Sequence, residues 1–159
     1  MMKLSSIHNF LFILILGICV STASQAQVVV TQTQALSFGT FAFVSFNDVL
    51  RVNIRNNGTT NPNANAIVIT PGSRGEFDLD AGLANANSVY TVTTPVTAML
   101  TGPGANFMID NFRVRPNTLR TNAVGFDQFR IAARLRSMGA GMQYGNGLYN
   151  QDLTVIIAF

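Results

Sequence analysis

Gly147-Leu148-Tyr149-Asn150-Gln151-Asp152-Leu153-Thr154-Val155-Ile156-Ile157-Ala158-Phe159 is the stretch whose reading decides the fold. Side chains of an extended chain alternate with period two, so Leu153, Val155, Ile157 and Phe159 fall on one face. The run is very apolar, reaches Phe159 without a polar tail, and reads as a strand. Chain ends fray unless something ties them down. An apolar strand here therefore needs pairing, from its own sheet or from a partner's strand.

Outward from that strand, the same alternation recurs. Leu50, Val52 and Ile54 face one way and Arg51, Asn53 and Arg55 the other, the pattern of a half-buried antiparallel strand. Phe129, Ile131, Ala133 and Leu135 alternate within Phe126 to Arg136. The paired alanines and the arginines there would suit a helix, but strand-like neighbours decide for a strand. Further short strands are predicted at Leu36 to Phe43 (with Gly39 marking a bulge), Ile67 to Ile69, Glu76 to Asp80, Val89 to Thr93 and Phe107 to Arg113. Asn56 to Asn65 is turn chemistry throughout. Gln27 to Gln34 is β-prone and uncharged, either a first strand or a free extended arm. Eight or nine short strands with turn signals about every 8–12 residues predict one all-β domain, an antiparallel β-sandwich.

The N-terminus reads differently. Lys3 precedes the apolar run Phe10 to Val20, and Ser24 and Ala26 supply small residues at the −3 and −1 positions of a cleavage site. Residues 1–26 are predicted to be a secretory signal helix cleaved between Ala26 and Gln27. The run is short of the roughly 20 residues of a membrane span, so no transmembrane helix is expected after cleavage. Cys19 sits in the export segment, and Ile18 before it is not the small residue a lipobox needs.

Of the 159 residues, 133 remain after removal of 26, enough for one domain, residues 27–159. The only cysteine, histidine and lysine (Cys19, His8 and Lys3) leave with the signal, and nine arginines face seven acids, a net charge of +2. So mild a charge does not argue for nucleic acid. No disulfide can form within residues 27–159. A Ser-His-Asp triad, a Cys-His pair, a Schiff-base lysine and a His/Cys zinc site all lack parts. No enzymatic activity and no cofactor or metal are expected. Glu76, Asp78 and Asp80 share a strand face, but no aromatic sugar platform accompanies them, and acids there keep an edge soluble. Arg130, Arg134 and Arg136 read as a solvated face. Asn57-Gly58-Thr59 fits a glycosylation sequon inside an Asn-rich turn.

Taken in order, Leu36-Ser37-Phe38-Gly39-Thr40-Phe41, Tyr90-Thr91-Val92-Thr93-Thr94-Pro95, Phe107-Met108-Ile109-Asp110-Asn111-Phe112 and Gly147-Leu148-Tyr149 leading into Leu153 to Ile157 resemble domain-of-unknown-function family 4402. These are small exported bacterial proteins similar to fimbrial subunits and spore-coat-U-type domains. The resemblance implies an immunoglobulin-like, pilin-like sandwich that polymerises by donor-strand exchange, an extended arm of one subunit completing the sheet of the next. The arm would lie in residues 27–35. Subunit or chaperone contacts would fall on Val28, Val30, Leu153, Val155, Ile157 and Phe159.

The expectation is a non-enzymatic exported structural protein, a fimbria-like or cell-surface coat subunit in the periplasm, at the cell surface or outside the cell. Its partners would be copies of itself, a periplasmic chaperone or an outer-membrane assembly factor. One alternative is a monomeric secreted adhesion or binding module, in which Gln27 to Gln34 pairs within its own domain. A second is a small outer-membrane β-barrel ending at Phe159, although barrel strands need about 9–11 residues.

Overall fold

A computed structural model describes residues 27–139 and 141–159. The expected signal helix and Ala26 lie outside the described residues. Eleven strands follow in order: β1 (Val29–Gln34), β2 (Thr40–Phe43), β3 (Arg51–Ile54), β4 (Thr60–Pro62), β5 (Ala66–Thr70), β6 (Gly75–Asp80), β7 (Thr91–Thr93), β8 (Thr97–Leu100), β9 (Phe107–Arg115), β10 (Phe126–Ser137) and β11 (Ile156–Ala158). Eight have four or more residues, and β4 and β8 are the two strands beyond those predicted. A 3-10 turn at Leu83–Asn85 is the only helical element among the described residues.

Every strand pairing is antiparallel. Seven strands form one sheet along the path β1-β6-β10-β3-β4, with β9 on the other side of β10 and β8 beyond it. Two ribbons, β2-β5 and β7-β11, stand apart from this sheet. Each ribbon covers one hydrophobic cluster, and together they make the second layer of the predicted antiparallel sandwich. Phe41 and Phe43 of β2 pack toward Leu50, Val52, Ile54, Phe107 and Leu135. Val92 of β7 and Ile157 of β11 pack toward Leu79, Tyr90, Phe129 and Ile131.

The long strand β10 serves both clusters. Phe129 and Ile131 lie in one cluster, Ala133 and Leu135 in the other, because period-two alternation puts all four on the inner face. Phe112 touches both clusters. An aromatic group centres on Phe107, whose ring lies 4.5 Å from Tyr144 and 4.8 Å from Tyr149.

Three sequence expectations change. Asn56 to Asn65 is not turn throughout: Thr60–Pro62 pairs with β3 after a tight reversal at Gly58 (φ 83°). Asparagines sustain this irregular stretch by standing in for backbone partners. Asn65, buried, accepts from Ser45 N and donates to the Ser45 and Asp48 carbonyls. Thr97–Leu100 forms a strand that had not been predicted, added against β9. The terminal strand is also shorter than its alternation suggested, because only Ile156–Ala158 has ladder partners, on β7.

Candidate functional site: an exposed sheet edge and the terminal ribbon

The residues expected to make subunit contacts fall on two different sheets. Val30 belongs to β1, which runs along β6 in five registered pairs from Val29↔Asp80 to Gln34↔Glu76, with one irregularity between Gln32 and Gln34. Residues directly opposite in an antiparallel pair share a face. Val30 lies opposite Leu79 and Gln32 opposite Phe77, so they share the core face of the sheet. Yet all six residues of β1 are exposed, as is Val28 before it, and Val30 retains 44% of its surface. The covering layer stops at β6, where Leu79 is fully buried. β1 is thus held by its backbone ladder and adds no side chain to either cluster.

Leu153, Val155 and Ile157 are half-buried and alternate with exposed neighbours, as period two requires. Val155 and Ile157 rest against the second cluster, beside Phe77 and Leu79 of β6. Phe159 stays half-exposed while its ring centre lies 5.6 Å from that of Tyr90. Tyr90 is buried and its hydroxyl donates to Asp127 Oδ2 at 2.8 Å. Burial first, and then the hydrogen bond to the Asp127 carboxylate and its negative charge, push the Tyr90 phenol well above its ordinary pKa. The outer edge of β11 has no ladder partner among the described residues. Val28 and Val30 therefore do not form one patch with Leu153, Val155, Ile157 and Phe159. Both groups adjoin β6, one along its backbone edge and the other across its inner face.

The charged residues on the outer face of the large sheet are more committed than their sequence pattern implied. Arg134 grips Asp110 with two bonds, Nε to Oδ1 at 2.7 Å and Nη2 to Oδ2 at 2.9 Å, across the β9–β10 register. Arg136 Nε lies 3.1 Å from Asp110 Oδ2. Asp110 is buried, and the Arg134 bonds, opposed by desolvation and helped by the positive charges around it, hold its carboxyl below the ordinary range. The expected solvated arginine face is thus in part an ion-paired lid.

The three carboxylates of β6 are each engaged. Glu76 bridges Arg74 at 2.8 Å and Arg130 at 3.7 Å, Asp78 accepts from Gln128 Nε2, and Asp80 accepts from Gly82 N. Among the described residues no group of three His, Cys, Asp or Glu could hold a metal ion.

One structural feature was missed in the sequence although its signal is there. Phe107 and Ile109 alternate, but the next apolar residue is Phe112, three positions on rather than two. The structure absorbs the slip as a β-bulge, with Asn111 and Phe112 together opposing Ala133. Asn111 adopts φ 51°, the left-handed region that asparagine tolerates better than other side chains. Past the bulge, Phe112 and Val114 point to the core.

A family model described as Domain of unknown function (DUF4402) matches residues 28–159. No curated protein and no solved structure matches the chain.

Proposed function

This chain belongs to the DUF4402 family, and we propose that it is a non-enzymatic exported subunit of a fimbria-like or coat assembly at the cell surface, joined by exchange of β1. One observation carries the reading: five of the six residues of β1 are laddered to β6 while every one of its residues is exposed. A strand integral to a monomeric sandwich normally buries one of its two faces. β1 buries neither, so leaving β6 costs backbone hydrogen bonds and no core contact. The same ladder forms again when the β1 of another copy occupies the vacated edge, which makes the exchange close to neutral in free energy. Residues 27–159 contain no histidine, cysteine or lysine, in keeping with a structural role.

The pairing of β1 within its own chain also favours a second reading, a monomeric secreted binding module. The barrel has less support, since only β9 and β10 reach nine residues.

Thr31 and Asp78 lie opposite in register, and the mature domain is free of cysteine. A Thr31→Cys/Asp78→Cys variant can therefore lock β1 to its own β6. Native gels should show multimers for the wild type and the reduced variant, a single monomer band for the variant oxidised as a dilute monomer, and disulfide-linked multimers in non-reducing SDS for the variant oxidised after assembly. Multimers that form although the lock is closed within each chain, and that fall to monomers in non-reducing SDS, would rule out exchange of β1. A monomeric wild type would leave the binding module.

A further inference from the structure

The outer face of the large sheet forks beside the bulge. β6 accompanies β10 as far as Ile131, and β3 takes over at Arg134. On the opposite side of β10 the bulge falls at the same level, so Ala133 is the one residue of β10 without a register partner on either side. A cleft of about 460 Å³ opens there, within the size range of small-molecule sites.

Its lining is chemically narrow. Asn53 and Arg55 approach from the β3 side, Asn61 from β4, Asn111 and Arg113 from β9, and Asn56 from the turn after β3. No acidic or aromatic residue lines it. Arg74, Arg130, Arg134 and Arg136 are all ion-paired, whereas Arg55 and Arg113 have no carboxylate partner among the described residues. Asn56 is held by its backbone carbonyl, which accepts from Arg74 Nη1, while its side-chain Oδ1 is buried without any hydrogen-bond partner among the described residues. An unpaired buried acceptor is costly, and its persistence calls for an explanation. Asn56 itself lines the cleft, and the terminal torsion of asparagine is soft, so its amide can reorient toward a bound partner.

We propose that the cleft binds an acidic sugar, its carboxylate held by Arg55 and Arg113 and its hydroxyls read by the asparagine amides. A guanidinium matches a carboxylate through paired N–H donors. Each amide offers both a donor and an acceptor, which is what a hydroxyl needs, since it donates and accepts at once. Acetate satisfies the arginines but has no hydrogen to give the amide oxygens, and hydrogen phosphate has too few hydroxyls to answer several amides at once. A neutral sugar satisfies the amides and leaves two guanidiniums unanswered. The site goes beyond the subunit reading and stands whether or not β1 exchanges.

The test is a titration of the full mature chain followed by ¹H–¹⁵N correlation spectra, which report the asparagine side-chain amides directly. The probes are glucuronate, glucose, acetate and inorganic phosphate, with an oligoglucuronate to separate a polymeric glycan from a free sugar acid. Glucuronate should shift the Asn53, Asn61 and Asn111 amides saturably, at least ten-fold more tightly than glucose or either simple anion. Tighter binding of the oligomer would assign the site to a glycan chain, and equal binding per residue to the free acid. Arg55→Gln/Arg113→Gln, at exposed positions, should lose at least ten-fold in affinity with an unchanged Tm. Asn56→Ala should weaken binding without lowering Tm, since it deletes an unsatisfied acceptor. Acetate or phosphate binding as well as glucuronate, glucose binding equally, or an absence of shifts at these amides would each overturn the proposal.

Discussion

Asn111 carries a decision that a single residue can make or break. Its φ of 51° lets β9 gain one residue against β10 and return Phe112 and Val114 to the core side. For an ordinary L-residue this conformation costs roughly 1–2 kcal/mol, more if the side chain is β-branched, whereas glycine adopts it freely. Asn111→Val should therefore lower the urea unfolding free energy by about 1–2 kcal/mol, and Asn111→Gly should stay within a few tenths of the wild type. Equal losses for both would mean that the side chain of Asn111, and not its backbone, supports the bulge. The sequence held half of this information. The three-residue step from Ile109 to Phe112 is visible, but a strict two-residue period reads it as the end of a strand. Only the unbroken partner strand, with Phe129, Ile131, Ala133 and Leu135 on one face, shows that β9 continues through it.

At the scale of elements, strands whose two faces differ were legible and strands whose faces do not differ were not. Leu50, Val52 and Ile54 are buried as their alternation requires, because a core on one side and water on the other write the period into the residues. β4 (Thr-Asn-Pro) carries no such contrast, since β3 recruits it through backbone bonds and the Asn53 amide, and turn chemistry is the reasonable reading. β1 is the extreme case: exposed on both faces, it could be read as strand or arm with equal right. Its amides should therefore exchange with solvent well ahead of those of β10, through local opening that leaves both clusters intact. Hydrogen exchange measured at Thr31 and Ile131 decides this. Comparable protection at the two would show that β1 unfolds only with the whole domain, which would weaken the case for exchange. The cleft beside the bulge was illegible for a different reason. Its residues come from β3, β4 and β9, and nothing in their sequence spacing announces that the sheet forks where they meet.

Across the whole molecule, residues 27–159 contain no cysteine and so no disulfide to fall back on, and two apolar clusters and a few charge contacts hold them. Among those contacts Asp110 is the most deeply set, and its carboxyl is lowered in the folded state chiefly by Arg134. A carboxylate with a depressed folded pKa contributes stability that is fully present above the ordinary value near 4. That contribution drains away as pH falls through the ordinary range toward the depressed one. Urea midpoints should accordingly drop on acidification below about pH 4. Asp110→Asn should be destabilised at neutral pH by about 2 kcal/mol and show a shallower acid slope. An unchanged slope would place the acid-sensitive group elsewhere.

The ladder between β1 and β6 has a mechanical side as well. Its bonds run perpendicular to the strands, so tension along the strand axis loads all five registered pairs in shear, while a pull across it peels them one at a time. A fibre built through this edge would be tough along its length and easily unzipped from the side.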